Sequence, residues 1–356
     1  MRVCVAMSGG VDSSVAAVLL REQGCELAGV NLRMFHNEDL GESREKTCCS
    51  LTDAEDAALV ARRMRFPFYV FDFSQVFRDT VIRDFVEEYQ AGRTPNPCAV
   101  CNRAVKFGAL LQRVRALGYE FLATGHYARV ERDPVSGRYL LKRAADRSKD
   151  QTYFLYMLTQ EQLAHTLFPL GGLHKAEVRQ IAEDNGLVNA RKHDSQDICF
   201  VPDGKYADFI ERTVGHPFPA GPFLDQEGRV LGQHKGMIRY TRGQHKGLGL
   251  STEEPLYVLE KDVSSNAIRL GPDSGLYTRE LTAEHVNWIS IPELTAPMAV
   301  TAKTRYSQRE AEAVAEPLPD GRIRVIFEES QRAITAGQAV VLYDGEKVVG
   351  GGTICD

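Results

Sequence analysis

Short apolar runs alternate with stretches of helical periodicity from the first residues of the chain onward. Residues 3–7 (Val-Cys-Val-Ala-Met) form an unbroken apolar run that predicts a buried strand. A helical run carrying Val15, Ala16, Val18 and Leu19 follows at once. The same alternation predicts strands over 26–34 and 66–73, and a short buried one over 121–126 that ends in Gly125-His126. Helices are predicted from Thr52-Asp53-Ala54-Glu55, spaced as a capping box, through about Met64. Others are expected over 75–90 and along the apolar face of Phe107, Leu110, Leu111, Val114 and Leu117. Residues 36–47 are polar and read as a long loop. Strand–helix alternation of this kind predicts an α/β fold with a Rossmann-like, doubly wound parallel sheet. Ligands of such sheets sit at the carboxyl ends of the strands, where Ser8, Leu32 and Gly125-His126 all fall.

After about Phe200 the pattern changes. Residues 215–255 are rich in Gly and Pro. From Leu281 short alternating segments (298–303, 322–327, 339–343) are punctuated by Pro319-Asp320-Gly321, Gly337 and Asp344-Gly345. That spacing predicts a small all-β barrel. The chain is therefore divided into a catalytic α/β domain (1–205), a Gly-rich central adaptor (206–276) and a C-terminal β-barrel (277–356).

The length of 356 residues fits several domains. No apolar run is long enough for a membrane span or a signal peptide, so a soluble, cytoplasmic protein without a membrane partner is expected. A net charge of −5 argues against a globally basic nucleic-acid binder and leaves local patches. Two stand out. Arg138, Lys142, Arg143, Arg147 and Lys149 precede the aromatic run Tyr153, Phe154, Tyr156, which itself reads as core. Between Arg229 and Gly247 lie Arg229, Lys235, Arg239, Arg242 and Lys246 with His234 and His245 and no acid, and Gly-Gln-His-Lys-Gly occurs twice there. Either patch suits phosphate contact; the bland alternative is a solvated face.

The most informative stretch is Ser8-Gly9-Gly10-Val11-Asp12-Ser13-Ser14. Adjacent glycines permit a tight turn and close approach of a ligand, and the helix that follows presents unpaired N–H groups to an anion. Asp12 suits a role in holding Mg²⁺ or in orienting N–H groups. No Walker A sequence is present. The loop resembles the SGGxDS motif of N-type (PP-loop) ATP pyrophosphatases, which implies cleavage of ATP to an adenylated substrate and pyrophosphate.

Of eight cysteines, Cys4 and Cys25 read as small buried hydrophobes. Cys98 and Cys101 form a C-x-x-C after two prolines, with Cys101 placed near a helix start where the dipole would favour its thiolate. Half a zinc site, a thioredoxin-type dithiol and inert packing are the competing readings. Cys199 lies in a polar turn running into an apolar strand, and Cys48-Cys49 end the polar loop. On the residues alone, a PP-loop synthetase adenylating a small metabolite, or an iron–sulfur or redox binding protein, remain alternatives.

Several islands converge on one family: Ser8–Ser14, Ala91–Pro97, Cys101-Asn102, Ala123–Tyr127, Lys149–Leu155, Ile198–Phe200, Gly243–Gly249 and Lys303–Tyr306. In order and spacing they resemble the tRNA-specific 2-thiouridylases (MnmA type), which thiolate the wobble uridine. The resemblance implies ATP at Ala6, Met7, Ser8, Gly9, Gly10, Val11, Asp12, Ser13, Leu32 and Gly125. It implies a persulfide on Cys199, with Cys101 as the thiolate that frees the sulfur by closing a disulfide. Asn96, Pro97 and Cys98 would face the target base. His126, Lys149, Asp150, Gln151, Arg305, Tyr306 and Gln338 would touch tRNA. A sulfur donor, either a persulfide carrier protein or a cysteine desulfurase, is the other implied partner. Many members carry Asp where this chain has Cys98, so an acid/base role does not transfer. Cys98, Cys101 and Cys199 would instead suit a [4Fe-4S] cluster, an alternative to the persulfide route.

Overall fold

The structure, a computed structural model, describes residues 1–35, 51–192, 198–201 and 204–355, with the side chains of 51 and 52 excepted. The polar loop with Cys48-Cys49, and the turn 194–197 before Cys199, lie outside the described residues.

The chain opens with β1 (Arg2–Ala6), α1 (Val11–Glu22), β2 (Glu26–Arg33), α2 (Leu51–Met64) and β3 (Phe68–Asp72). α2 begins at Leu51, so Thr52 lies inside its first turn rather than capping it. Two longer helices follow, α3 over 74–90 and α4 over 97–116. Across Asn102–Leu110, α4 widens to i→i+5 hydrogen bonding. The predicted apolar face of Phe107, Leu110, Leu111 and Val114 is buried in α4, while Leu117 falls beyond its end and is exposed. Then come β4 (Phe121–Ala123), the hairpin β5 (Arg129–Arg132) and β6 (Tyr139–Lys142), α5 (Gln160–Ala164), β7 (Thr166–Leu167) and α6 (Lys175–Asp184).

Strands order as β3-β2-β1-β4-β7, every neighbour parallel. Alternate residues of β1 serve opposite faces: Val3 and Val5 pack with α1 and α2, Cys4 with α3 and α4. Burial pushes the Cys4 thiol up to about 12, consistent with inert packing. The order runs outward from β1 in both directions, so β1 and β4 flank the point where the winding reverses.

α7 (Tyr206–Val214) leads into a four-stranded sheet, β10-β11-β8-β9, of β8 (Gly221–Leu224), β9 (Val230–His234), β10 (Tyr257–Asp262) and β11 (Ala267–Gly271). Its small core is built on Phe223, Met237, Tyr240, Val258 and Leu270. The last segment holds β12 (Tyr277–Trp288), β13 (Met298–Lys303), β14 (Ala311–Pro317), β15 (Ile323–Arg332), β16 (Ala339–Asp344) and β17 (Lys347–Ile354). They close as an antiparallel barrel, β12-β15-β14-β13-β16-β17 and back to β12. No described helix is long and apolar enough to cross a membrane.

The barrel is not a loose appendage. The β5–β6 hairpin of the first domain extends its sheet through the pair Lys347 and Lys142. Tyr153 Oη donates towards Thr304 O (3.2 Å) and Ala339 O (3.1 Å), and Asn287 Nδ2 donates to Tyr156 O and Leu158 O. This seam absorbs most of the first basic patch. Arg138 donates to Trp288 O and Ile289 O and Arg147 pairs with Glu346, while Lys142 pairs with Glu131 within the hairpin. Arg143, its side chain 6% exposed, pairs with Glu310 and lies 3.8 Å from the Tyr343 ring centroid. Arg138, Arg143 and Arg147 of that patch thus also tie the first domain to the barrel. Replacing Tyr153 by Phe removes one hydroxyl from this seam at a cost of about 1–2 kcal/mol. The expected outcome is an apparent Tm lower by about 2–4 °C, read by differential scanning fluorimetry.

Candidate active site

The Ser8-Gly9-Gly10 turn leaves β1 at its carboxyl end. Pairing continues one residue past the strand, with Met7 N donating to Val30 O (2.7 Å) and Asn31 Nδ2 to Met7 O (2.8 Å). Gly9 has φ +78°, and a Cβ there would collide with the Asp53 carbonyl. Gly10 then enters α1 with extended backbone and no side-chain cap, leaving the first N–H groups of α1 to a ligand. Ser13 and Ser14 turn their hydroxyls back to Gly10 O (3.1 and 3.2 Å) rather than outward. From β4, Gly125 closes on the same spot: a Cβ on it would lie 2.7 Å from Ser13 N. Loop and Gly125 thus meet where the strand order reverses. Leu32 is buried near the end of β2 on the side of α3 and α4.

Charge around the loop is balanced by residues that the sequence reading missed. Lys175 Nζ bonds both Asp12 carboxylate oxygens (2.7 and 2.9 Å), and Tyr127 Oη donates to Asp12 Oδ1 (2.9 Å). Asn189 Nδ2 bonds Gly9 O and Ser14 Oγ (both 2.9 Å). Lys192 Nζ pairs with Asp53 and Asp56 and reaches Gly9 O at 3.4 Å. Burial pulls the Lys192 pKa down, but its bonds to Asp53 and Asp56 outweigh that and leave it above the ordinary value. One sequence signal existed: Lys175 opens α6, where a cation opposes the helix dipole and so asks for a counter-charge.

The cysteines lie along the next strand end. α4 starts at Pro97, with Asn96 Oδ1 accepting from Ala99 N (3.3 Å). That moves the helix start away from Cys101. Cys98 occupies the first turn and is exposed; Cys101 sits a turn further in, 7% exposed, its Sγ 3.8 Å from Met34 Sδ. Cys199, partly exposed, stands beside Phe200, which packs edge-on against Phe77 and Phe85 and also meets Phe209. Among the described residues no three His, Cys, Asp or Glu side chains converge as metal ligands.

Residues carried over for tRNA divide into two groups. Asp150 is buried and accepts from Ala144 N and Thr152 Oγ1. Gln151 Oε1 accepts from Tyr127 N (2.9 Å), tying this segment to the residue that bonds Asp12. Arg305 Nη2 donates to Ala333 O and Thr335 Oγ1, and burial lowers its pKa. Gln338 Nε2 donates to Thr94 O and Pro95 O (both 2.9 Å). His126, bonded to Thr124 Oγ1 through Nδ1, is held well below its ordinary pKa by burial and then by Lys106, so it is neutral near pH 7. Tyr306 is exposed and meets Phe154 at 4.5 Å between ring centroids. Lys149 is partly exposed. Tyr153 and Tyr156 are core. In the second basic patch, Arg229 pairs with Asp225 and Glu227, and Arg239 with Asp208 and Glu211. His234 is buried with Nε2 3.0 Å from Asn266 O.

Because Gly125 abuts backbone, Gly125→Ala must displace the start of α1. ATP-dependent turnover is expected to fall by about a hundredfold, with an unchanged circular-dichroism spectrum. Lys175→Met should instead mainly raise the KM for ATP, measured as pyrophosphate release.

Residues 1–203 match the family model described as a tRNA methyl transferase HUP domain, 207–272 a tRNA methyl transferase PRC-barrel domain, and 278–354 an aminomethyltransferase β-barrel domain. Curated relatives carry a different name, tRNA-specific 2-thiouridylase MnmA. That of Heliobacterium modesticaldum is 53% identical over 354 residues, covering 99% of this chain and 92% of the relative. That of Acetivibrio thermocellus is 49% identical over 355 residues, 99% of each. That of Clostridioides difficile is 47% identical, covering 99% and 98%. With identity near one half along almost its full length, the chain belongs to the family of tRNA-specific 2-thiouridylases.

Proposed function

We propose that this chain uses ATP to place sulfur at C2 of the wobble uridine of tRNA. The observation that carries the reading is the shared edge of one sheet. Cys101 touches Met34 just beyond β2, and the Ser8–Gly10 loop leaves the neighbouring β1 at the same end. Parallel neighbours lie about 4.8 Å apart, which supports placing the nucleotide loop and the thiol at adjacent strand ends. A protein that only adenylates a small metabolite has no use for that placement of a thiol. Adenylation followed by sulfur attack uses both halves.

ATP use goes with the family and its loop. The uridine C2 oxygen attacks the α-phosphorus and pyrophosphate leaves, converting a poor leaving oxygen into AMP. Mg²⁺ arriving with ATP would sit at Asp12 and neutralise phosphate charge, a single carboxylate plus phosphates being its usual setting. The outer sulfur of a Cys199 persulfide attacks C2 and expels AMP. The Cys101 thiolate then attacks the Cys199 sulfur, closing a Cys101–Cys199 disulfide and leaving C2=S; an external thiol reductant reopens it. The base must leave its stack to reach this crevice. Asn96 Nδ2, buried and without a partner among the described residues, is the donor placed to meet a uracil carbonyl. Cys98 flanks it in the first turn of α4.

For tRNA, we assign Lys149 and the Tyr306–Phe154 pair to direct contact, with the Arg305 and Arg242 guanidiniums behind them. The Nε atoms of both arginines are buried and unpartnered among the described residues, as donors awaiting an anion would be. His126, being neutral, contributes a hydrogen bond or a stacking face. Asp150, Gln151 and Gln338 shape the surface from below. A sulfur donor, a persulfide carrier protein or a cysteine desulfurase, loads Cys199.

Cys101→Ser and Cys199→Ser should each lower 2-thiouridine formation by at least about a thousandfold, read by nucleoside mass spectrometry. Both should retain tRNA-dependent ATP–pyrophosphate exchange. Thiolation unaffected by either change overturns the reading.

A further inference from the structure

The segment entering α4 has few backbone donors of its own. Pro95 and Pro97 have no N–H to donate. The carbonyls of Thr94 and Pro95 find their donor outside the first domain, in the two N–H groups of the Gln338 amide, each at 2.9 Å. Thr94 N in turn donates to Ala336 O (2.9 Å). The barrel turn comes so close because its middle residue is glycine: Gly337 has φ +86°, and a Cβ there would lie 2.9 Å from both Thr94 N and Thr94 O. That turn is itself fixed, with Gly337 N bonded to Ile354 O and Ile354 N to Gln338 O (both 2.8 Å). One residue past Pro95, Asn96 caps the helix that carries Cys98 and Cys101. At the far side, Asn102 Nδ2 holds Phe154 O (3.0 Å). The cysteine-bearing turn is thus anchored at both ends by groups outside it, and its front anchor belongs to the barrel.

We infer that Gln338 is a positioning residue: its amide sets the Thr94 and Pro95 carbonyls, and through them the Asn96 cap and the depth at which Cys101 is held. A primary amide has two N–H groups, and both are spent inward here, leaving only Oε1 for any outside partner. The C-terminal barrel then contributes to sulfur transfer by holding the catalytic turn. Only the kinetic arm of the test below rests on the thiolation reading.

The test is alkylation of the full-length, tRNA-free protein by iodoacetamide, followed cysteine by cysteine by peptide mass spectrometry. Gln338→Ala removes two hydrogen bonds and should speed Cys101 modification about tenfold through local opening. Cys4, buried in β1, should keep its parent rate, showing that the loosening is local. In thiolation assays kcat should fall about tenfold with KM for tRNA within about twofold. Gln338→Lys, which keeps a donor, should bring Cys101 back to within about threefold of the parent rate. An unchanged Cys101 rate in Gln338→Ala overturns the inference, as does a rise that Cys4 shares equally. A raised KM with unchanged kcat and alkylation also overturns it, and returns Gln338 to the tRNA surface. If the parent protein thiolates no tRNA, the functional reading falls while the alkylation comparison still decides this inference.

Discussion

Strand order reverses at β1, and the rest of the site depends on that reversal. β2 and β3 lie to one side of β1, β4 and β7 to the other, so the chain leaving β1 turns away from the chain leaving β4. A gap opens between them at the carboxyl ends. Gly9 and Gly125 let backbone close on that gap from two directions, where any Cβ would strike the Asp53 carbonyl or the Ser13 amide. The uncapped start of α1 faces what remains. No lysine of a Walker loop is needed in the motif, because Lys175 and Lys192 reach the loop from later helices and turns.

What the sequence displayed clearly was local. The Ser8–Ser14 loop is one strand, one turn and one helix start, and its residue types are dictated within seven positions. The period-2 segments of the barrel are equally local: 298–303 reads as a strand from its own alternation, and β13 spans those residues. Partners far along the chain were not legible. Arg143 is answered by Glu310 and Arg239 by Asp208 and Glu211, so charge runs that look uncompensated in sequence are compensated in space. The pairing of Asp12 with Lys175 has the same character. The start of α4 is a different case. Asn96-Pro97 is a cap followed by a proline at the first helical position, so the helix starts four residues before Cys101 rather than beside it.

The surroundings of Cys101 and Cys199 differ, and that bears on how two thiols could share one sulfur transfer. Cys101 is fixed by burial in the shared core beside Met34. Cys199, partly exposed, packs at the edge of that core beside Phe200, which sits in a cage of Phe77, Phe85 and Phe209. A carrier thiol must meet an external sulfur donor and then the activated base, whereas the thiol that resolves it needs one position. A buried Cys101 and a partly exposed Cys199 fit that division of labour as proposed.

The balance of charge at the loop explains why a carboxylate stands in an anion site at all. Without counter-charges, Lys175, Lys192 and the positive end of α1 would converge on an empty crevice, and their mutual repulsion would destabilise the fold. Asp12 offsets Lys175, and Asp53 with Asp56 offsets Lys192. An incoming triphosphate therefore competes with internal carboxylates for the lysines. Each lysine that turns to phosphate leaves a carboxylate behind, and a cation carried in with the nucleotide can satisfy it. Asp12 thus serves as a counter-ion to Lys175 and, on the proposed reading, as the neighbour of Mg²⁺ once ATP binds. The two roles are successive uses of a single charge.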